Sequence, residues 1–405
     1  MNKQTKSHMV DIACVASVPF FLAAQLKSQL VYLAKAGMRV LVLTAPGPEL
    51  EQFPWSESLM HEPVDIRRRP APWRDLRALF RLIQIFQNKR PIIVHSTTPK
   101  AGLLTAVAAW LVRIPIRLHT FTGQQWVTMS GPLRWVSRWS DRVVGRLSTR
   151  VYADSPSQRE FLISQSIIRS DKIGVIGSGS LSGVDVRRFH NDRFSESERA
   201  NLKRGLGIDP KAVVITFIGR ITREKGVQEL LQSAHTLYEE GVSFDLILAG
   251  PLDSALEVER RPSGEANNGQ LRSSSNTHVV GYTKSPESYL AISDILCLPS
   301  YREGFGTVVI EAAAMGVPTI GTRITGLSDA VVDGVTGLLV PAQDAEALTV
   351  ALRRLINDPE LRHRLGDAAR QRCLEQFDSN VVNQKLAEEY SRLLTLAGLS
   401  LQQHA

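Results

Sequence analysis

Short apolar runs alternate with helix-like stretches along almost the whole chain, and this alternation narrows the possible folds more than any other feature. Residues 9–17, 40–44, 92–95, 116–119, 150–153 and 172–176 read as strands, and 213–218 opens a second series. Between them lie an amphipathic stretch at 20–36 and a buried-helix pattern at 103–112. Such alternation predicts parallel sheets with helices packed on them. At 405 residues, 43% of them hydrophobic and 22% charged, the chain can fill two cores. A single core rarely outgrows about 250–300 residues. The expected domains are 1–190 and 191–378, with a final helix at 381–396 inside a tail of 379–405, and no internal repeat is evident. The polar, Ser- and Asn-rich stretch 260–277 is expected to be a surface loop.

The densest chemistry lies in 298–341. Glu303 and Glu311 flank Gly304-Phe305-Gly306-Thr307, placed where a loop becomes a helix. Val308, Val309, Ile310 and Ala312 to Met315 continue as a buried helix, which Gly316 and Pro318 end. A Gly-rich turn opening a helix presents free N–H groups and the positive end of the helix dipole, which suits an anion. The two carboxylates could then accept hydrogen bonds from polyol hydroxyls. The plainer reading is an ordinary turn with solvated acids. Upstream, Gly219-Arg220 ends the run 213–218, and Lys225-Gly226 precedes a helix bearing Val227, Leu230, Leu231 and Ala234. Arg220 and Lys225 thus emerge at the carboxyl end of a parallel strand, where open α/β sheets bind ligands. Two cations there suit a diphosphate; the alternative is a solvated loop pair.

Together these residues resemble the family 4 retaining glycosyltransferases of GT-B fold. The match is the Gly-Arg-x4-Lys-Gly loop of 219–226 and the Glu-x7-Glu box of 303–311. Ala249-Gly250-Pro251, Val280-Gly281-Tyr282 and Gly334-x-x-Gly337-Leu338-Leu339-Val340-Pro341 support it in order and spacing. The resemblance implies an α/β chain of two Rossmann-like domains facing a cleft, the first binding the acceptor and the second a nucleotide sugar. A C-terminal helix would cross back to the first domain. The implied reaction is transfer from a nucleotide-diphosphate sugar, a UDP-linked hexose or N-acetylhexosamine, with retained anomeric configuration. Arg220 and Lys225 would neutralise the departing diphosphate, Glu303 hold a sugar hydroxyl, and Glu311 take the ribose hydroxyls. Gly304, Phe305 and Gly306 would offer backbone donors. Gly219, Thr307, Gly250, Pro251 and Tyr282 complete the implied donor site.

His119-Thr120-Phe121-Thr122-Gly123 is similar to the family's His-x-x-x-Gly segment, which implies that His119 meets the donor sugar. A core or capping histidine is the alternative. Gly123 and Lys100 are candidates for the acceptor, although Lys100 can equally be surface charge. Ser17-Val18-Pro19 stands where many relatives carry a Gly-rich loop, and Ser182 stands in place of the family's Asn before Gly183-Val184-Asp185. No Asp-x-Asp sequence occurs, so neither a metal nor another cofactor is expected.

Charge is strongly segregated. Residues 67–150 carry sixteen Lys and Arg against Asp75 and Asp141, a net +14 in a chain of +8. Arg134, Arg138, Arg142 and Arg146 recur every fourth residue beside Trp135, Trp139 and Val143. A second cluster holds Arg67, Arg68, Arg69, Trp73, Arg74, Arg77 and Arg81. A basic amphipathic helix bearing Trp reads as an anionic-membrane element. Alternatively, the Trp stripe packs inward and the arginines are merely solvated. No nucleic-acid motif accompanies the charge, so no nucleic-acid partner is expected.

The odd, scattered Cys14, Cys297 and Cys373 suggest a reducing cytoplasm. Lys3 and Lys6 before the apolar 12–24 imitate a signal peptide, but a strand–helix–strand unit accounts for the same residues. The run 103–112 is too short for a bilayer, which needs about 20 apolar residues. With the resemblance, this implies a peripheral enzyme on the inner face of the cytoplasmic membrane. Its acceptor would be a polyprenyl-diphosphate-linked saccharide of polysaccharide or O-antigen synthesis. The rival readings are a GT-B sugar-nucleotide epimerase and a non-catalytic sugar- or membrane-binding protein.

Overall fold

Ile12–Val15 forms strand β1, and its side chains alternate between two cores as a strand's period of two requires. Ile12 and Cys14 join one core, Ala13 and Val15 the other. Burial on both faces is the mark of a parallel sheet covered by helices. The remaining strands of this sheet are β2 (Val40–Thr44), β3 (Leu59–Pro63), β4 (Ile93–Ser96), β5 (Ile116–Phe121), β6 (Arg150–Ala153) and β7 (Ile173–Val175). Their order is β3-β2-β1-β4-β5-β6-β7, and every neighbouring pair is parallel. The computed structural model describes residues 10–67, 70–252, 258–259, 271–272 and 276–399. It divides into two units, Met1–Gly183 with Ser379–Ala405, and Val184–Asp378. Arg68 and Arg69 of the basic cluster lie outside the described residues.

In the first unit the helices are α1 (Pro19–Phe21), α2 (Lys27–Lys35), α3 (Pro72–Lys89), α4 (Pro99–Leu111), α5 (Gly131–Leu147) and α6 (Pro156–Ser164). The stretch 20–36 is not one continuous α-helix, because Leu22–Leu26 winds as a wider π-type turn between α1 and α2. Leu22, Leu26, Leu30 and Leu33 are all buried. Steps of four residues outrun a 3.6-residue turn, and the widened turn absorbs the excess. Helices α3 and α5 both pack against α4. Among the described residues no helix is long and apolar enough to cross a membrane.

The second unit holds α7 (Glu196–Leu206), β8 (Val213–Ile218), α8 (Val227–Glu239), β9 (Phe244–Ala249), the short parallel pair β10 (Val258–Glu259) and β11 (Leu271–Arg272), and β12 (Thr277–Gly281). It continues with α9 (Pro286–Leu290), β13 (Ile295–Leu298), α10 (Thr307–Ala314), β14 (Thr319–Thr322), α11 (Leu327–Ala330), β15 (Gly337–Val340), α12 (Ala345–Asn357) and α13 (Pro359–Gln376). Its six-stranded sheet runs β12-β9-β8-β13-β14-β15, again all parallel. The expected loop at 260–277 falls largely on residues outside the description.

The division between units falls after Gly183 rather than near 190. Val184 N–H donates to Phe377 O at 2.8 Å, Val184 and Asp378 form a parallel bridge, and Val184 and Phe189 are already in the second core. Helix α14 (Ser379–Leu396) then belongs to the first unit, where Leu386, Tyr390 and Leu394 share a core with Leu30 and Leu33. The Tyr390 hydroxyl lies 2.6 Å from His95 Nδ1, and Tyr152 donates to Glu389. All three cysteines are buried and unbridged.

Candidate active site

In the second unit three strand-end loops are laced together by their backbones. Gly219 N–H donates to Ala249 O at 2.9 Å, Ile221 N–H to Pro251 O at 2.9 Å, and Gly250 N–H to Gly281 O at 2.8 Å. A Cβ on Gly250 would stand 1.8 Å from Gly219 O, so only glycine lets these loops meet. Gly226, at φ +69°, starts α8 in the left-handed region, and a Cβ there would stand 2.0 Å from Pro299 O. That close approach brings Lys225 beside the loop after β13.

Lys225 Nζ donates to Glu303 Oε1, which also accepts from the Ser300 hydroxyl at 2.7 Å. The cation and the carboxylate, expected to serve separate parts of a ligand, are therefore partners of each other. Arg220 is exposed at the end of β8 and has no hydrogen-bond or ion-pair partner among the described residues. Among the described residues its charge is uncompensated. Tyr282 is exposed just beyond β12.

Gly304, Phe305 and Gly306 form the approach to α10. The Phe305 ring is buried against Phe377, 5.1 Å between centroids, so only its backbone remains for a ligand. Gly306 sits at φ +87° immediately before Thr307, the first residue of α10. The opening of α10 carries the unpaired N–H groups of any helix start. Glu311, on the same helix, has no hydrogen-bond partner among the described residues. Burial pushes its carboxyl up to about 7, opposed by Arg188 and aided by Glu287. Arg188 Nη2 is 2.8 Å from Glu287 Oε2. Neither Arg188 nor Glu287 is legible as a site residue in the sequence. The only signal is the place of Arg188 just after Gly183-Val184-Asp185.

In the first unit, His119 lies near the carboxyl end of β5 and is only 2% exposed. Its Nδ1 is 2.9 Å from the Ser96 hydroxyl, its ring stacks edge-on against Phe121, and a Cβ on Gly102 would touch it at 2.5 Å. Burial pushes its pKa down to about 3, so the ring is neutral at physiological pH. A small cavity joins His119 to Thr98, Gly123, Gln125, and Ser137 and Asp141 of α5. Gly123 adopts φ +101° beside it. Lys100 is held by Asp75 at 2.6 Å, so it is not simply free surface charge.

His95, buried between Tyr390 and Thr120, is pushed down to about 4 by the loss of water. Asp154 is buried, its Oδ1 has no hydrogen-bond partner among the described residues, and burial pushes its carboxyl up to about 7. Among the described residues no cluster of three or more His, Cys, Asp or Glu side chains is arranged to hold a metal ion.

Two family models match the chain: "Glycosyl transferases group 1" over residues 198–372 and "Glycosyl transferase 4-like domain" over 22–179. The capsular polysaccharide biosynthesis glycosyltransferase CapM of Staphylococcus aureus is 30% identical over 97% of this chain and 98% of its own. The UDP-Gal:alpha-D-GlcNAc-diphosphoundecaprenol alpha-1,3-galactosyltransferase of Escherichia coli is 24% identical over 71% of this chain and 72% of its own. The crystal structure of Anabaena Alr3699/HepE in complex with UDP-glucose superposes with a TM-score of 0.72. That match has 18% identity and covers 94% of this chain and 99% of that one, which speaks to the fold alone.

Proposed function

The chain belongs to the group 1 glycosyltransferases of GT-B fold, and on that premise we propose that it moves a sugar from a nucleotide-diphosphate donor to a lipid-linked saccharide in surface-polysaccharide synthesis. One observation carries the donor half of this reading. Arg220, without a partner among the described residues, the Lys225–Glu303 pair and the start of α10 belong to strand-end loops of one parallel sheet, with Glu311 one turn into α10 and near Arg188. In this reading Arg220 stabilises the charge that develops on the departing diphosphate. The sugar's hydroxyls compete with Lys225 and Ser300 for the oxygens of Glu303. Glu311 accepts the ribose hydroxyls, and backbone donors from Gly304 to Gly306 meet the phosphates.

The Anabaena relative is solved with UDP-glucose, and the Escherichia coli relative acts from UDP-galactose on a diphosphoundecaprenol-linked sugar. The galactosyltransferase's donor and acceptor support a UDP donor and a polyprenyl-diphosphate acceptor here, and in this reading the enzyme works peripherally on the cytoplasmic leaflet. The reaction proceeds with retention and without a metal in this reading. The test is a panel of nucleotide sugars incubated with a synthetic polyprenyl-diphosphate saccharide, with and without EDTA. Acceptor-dependent nucleotide release that survives EDTA supports the reading. Epimerised donor in the absence of acceptor supports an isomerase instead.

A further inference from the structure

Most of the large apolar groups of α5 face outward. The helix buries Asp141, Val144 and Gly145, whereas Leu133 and Trp135 are 66% and 67% exposed, and Val136 and Trp139 stand out beside them. Helix α3 behaves alike: Ala78, Leu82, Ile85 and Phe86 are buried, while Trp73 and Phe80 are 81% and 62% exposed on one helical face with Leu76. Both helices flank α4, and all three begin at the carboxyl ends of parallel strands. The Lys100–Asp75 pair ties the start of α4 to the start of α3. The outward Trp73, Leu133 and Trp135 therefore lie along the border of this unit that also holds the His119 cavity, whose wall includes Ser137 and Asp141 of α5.

The charge around these groups is predominantly positive. Of the two acids in 67–150, Asp75 is held by Lys100, and Asp141 is buried and accepts from Trp126 Nε1 at 2.7 Å. The expected row of four arginines is split, because Arg138 donates to Gln165 O and lies over the Trp126 ring, and Arg142 donates to Ser166 O. Arg67 and Arg74 lie near Asp65, and Arg81 pairs with Glu62. Arg77, Arg134 and Arg146 have no ion-pair partner among the described residues. A second copy of so basic a face would be repelled, and large exposed apolar groups gathered on one face mark an interaction surface. Amphipathic aromatics framed by unpaired arginines fit one occupant, an anionic lipid bilayer.

We propose that the outer faces of α3 and α5 insert together into the interfacial layer of an anionic bilayer. Trp73, Phe80, Leu133, Trp135 and Trp139 enter the acyl boundary, and Arg77 and Arg134 meet lipid phosphates. The inference rests on the lipid-linked-acceptor reading and deepens it, because it sets the strand-carboxyl border of the first unit against the headgroups.

The full-length protein is tested by co-sedimentation with vesicles of phosphatidylcholine alone and of phosphatidylcholine with phosphatidylglycerol. Two variants accompany it: Trp73→Ser/Phe80→Ser/Trp135→Ser/Trp139→Ser, and Arg77→Gln/Arg134→Gln/Arg146→Gln. The wild type should bind the anionic vesicles at least tenfold better, less so in high salt. Each variant should lose about tenfold or more, with donor-only hydrolysis unchanged as a check on folding. Equal binding by the apolar variant overturns the face, and so does a wild-type dimer that this variant dissolves without any change in vesicle binding. Transfer to a short-chain acceptor in detergent separates the two claims. Transfer without vesicle binding sinks only the membrane face, and binding without transfer sinks only the acceptor reading.

Discussion

Arg220 and Lys225 stand on one loop, but their surroundings predict different losses. Arg220 touches no partner among the described residues, so Arg220→Ala should cut turnover by about 10²-fold or more and leave the unfolding midpoint in place. Lys225→Ala should cost both activity and about 2 kcal/mol of stability, because it strands the Glu303 carboxylate. Parallel urea titrations and steady-state assays distinguish the two patterns. Glu311 adds a pH dependence. Its carboxyl, raised to about 7, is protonated below that pH and accepts hydroxyl hydrogen bonds fully only above it. Donor affinity should rise as pH passes from 6 to 8, approaching tenfold per pH unit on the acid side, and the trend should vanish in Glu311→Gln. In the free protein the sign for stability is opposite. The folded state holds the extra proton between the ordinary carboxylate range and about 7, so this contribution is present at the acid end and is lost as pH rises through 7. Titration calorimetry with UDP across that range measures the binding trend.

At the scale of elements, the loops that gather these residues depend on glycines with no room for a side chain. Gly226→Ala and Gly250→Ala should each cost about 2 kcal/mol or more, since their Cβ atoms would strike Pro299 O and Gly219 O. Denaturant midpoints falling in both variants would bear this out, and unchanged midpoints would refute the lacing of the loops. Much of this scale is legible in the sequence. The strands 40–44 and 213–218 end just before Pro46-Gly47 and Gly219, and the turn into α10 is marked by its glycines. What is not legible is partnership across long separations. Nothing in the sequence pairs Lys225 with Glu303 or sets Arg188 near Glu311. Nor does the amphipathic pattern of α5 say which stripe faces water. Periodicity marks two faces, and here packing against α4, β5 and the buried Trp126 selects Asp141, Val144 and Gly145 for the inside. The turn at Leu22–Leu26 escapes for a similar reason, since one extra residue in a helix leaves its composition unchanged.

At the scale of the whole molecule, the first unit balances buried titratable groups of opposite habit. His95 and His119 are pushed down to about 4 and 3, while Asp141 and Asp154 are pushed up to about 7. As pH falls below about 6.5 the unfolded chain gains protons on the histidines that the folded chain refuses, which lowers stability. Over the same window the folded chain keeps protons on the aspartates that the unfolded chain releases, which raises it. The two effects oppose, so the unfolding midpoint of the first unit should change little between pH 7 and 5. Removing one counterweight with Asp154→Asn should make stability fall with acidity, by about 1.4 kcal/mol per pH unit at most. All six tryptophans lie in the first unit, so their fluorescence follows this unfolding selectively. Division into two parallel-sheet units is legible from length and alternation alone, but its boundary at Gly183 depends on the Val184–Phe377 hydrogen bond, which no local pattern announces. The most direct test of the central claim is anomeric NMR of the product formed from a nucleotide sugar and a polyprenyl-diphosphate saccharide. The account predicts a new glycoside with the donor's anomeric configuration, formed in EDTA and lost in Arg220→Ala. An inverted product, or nucleotide sugar that is bound or epimerised without transfer, would contradict it.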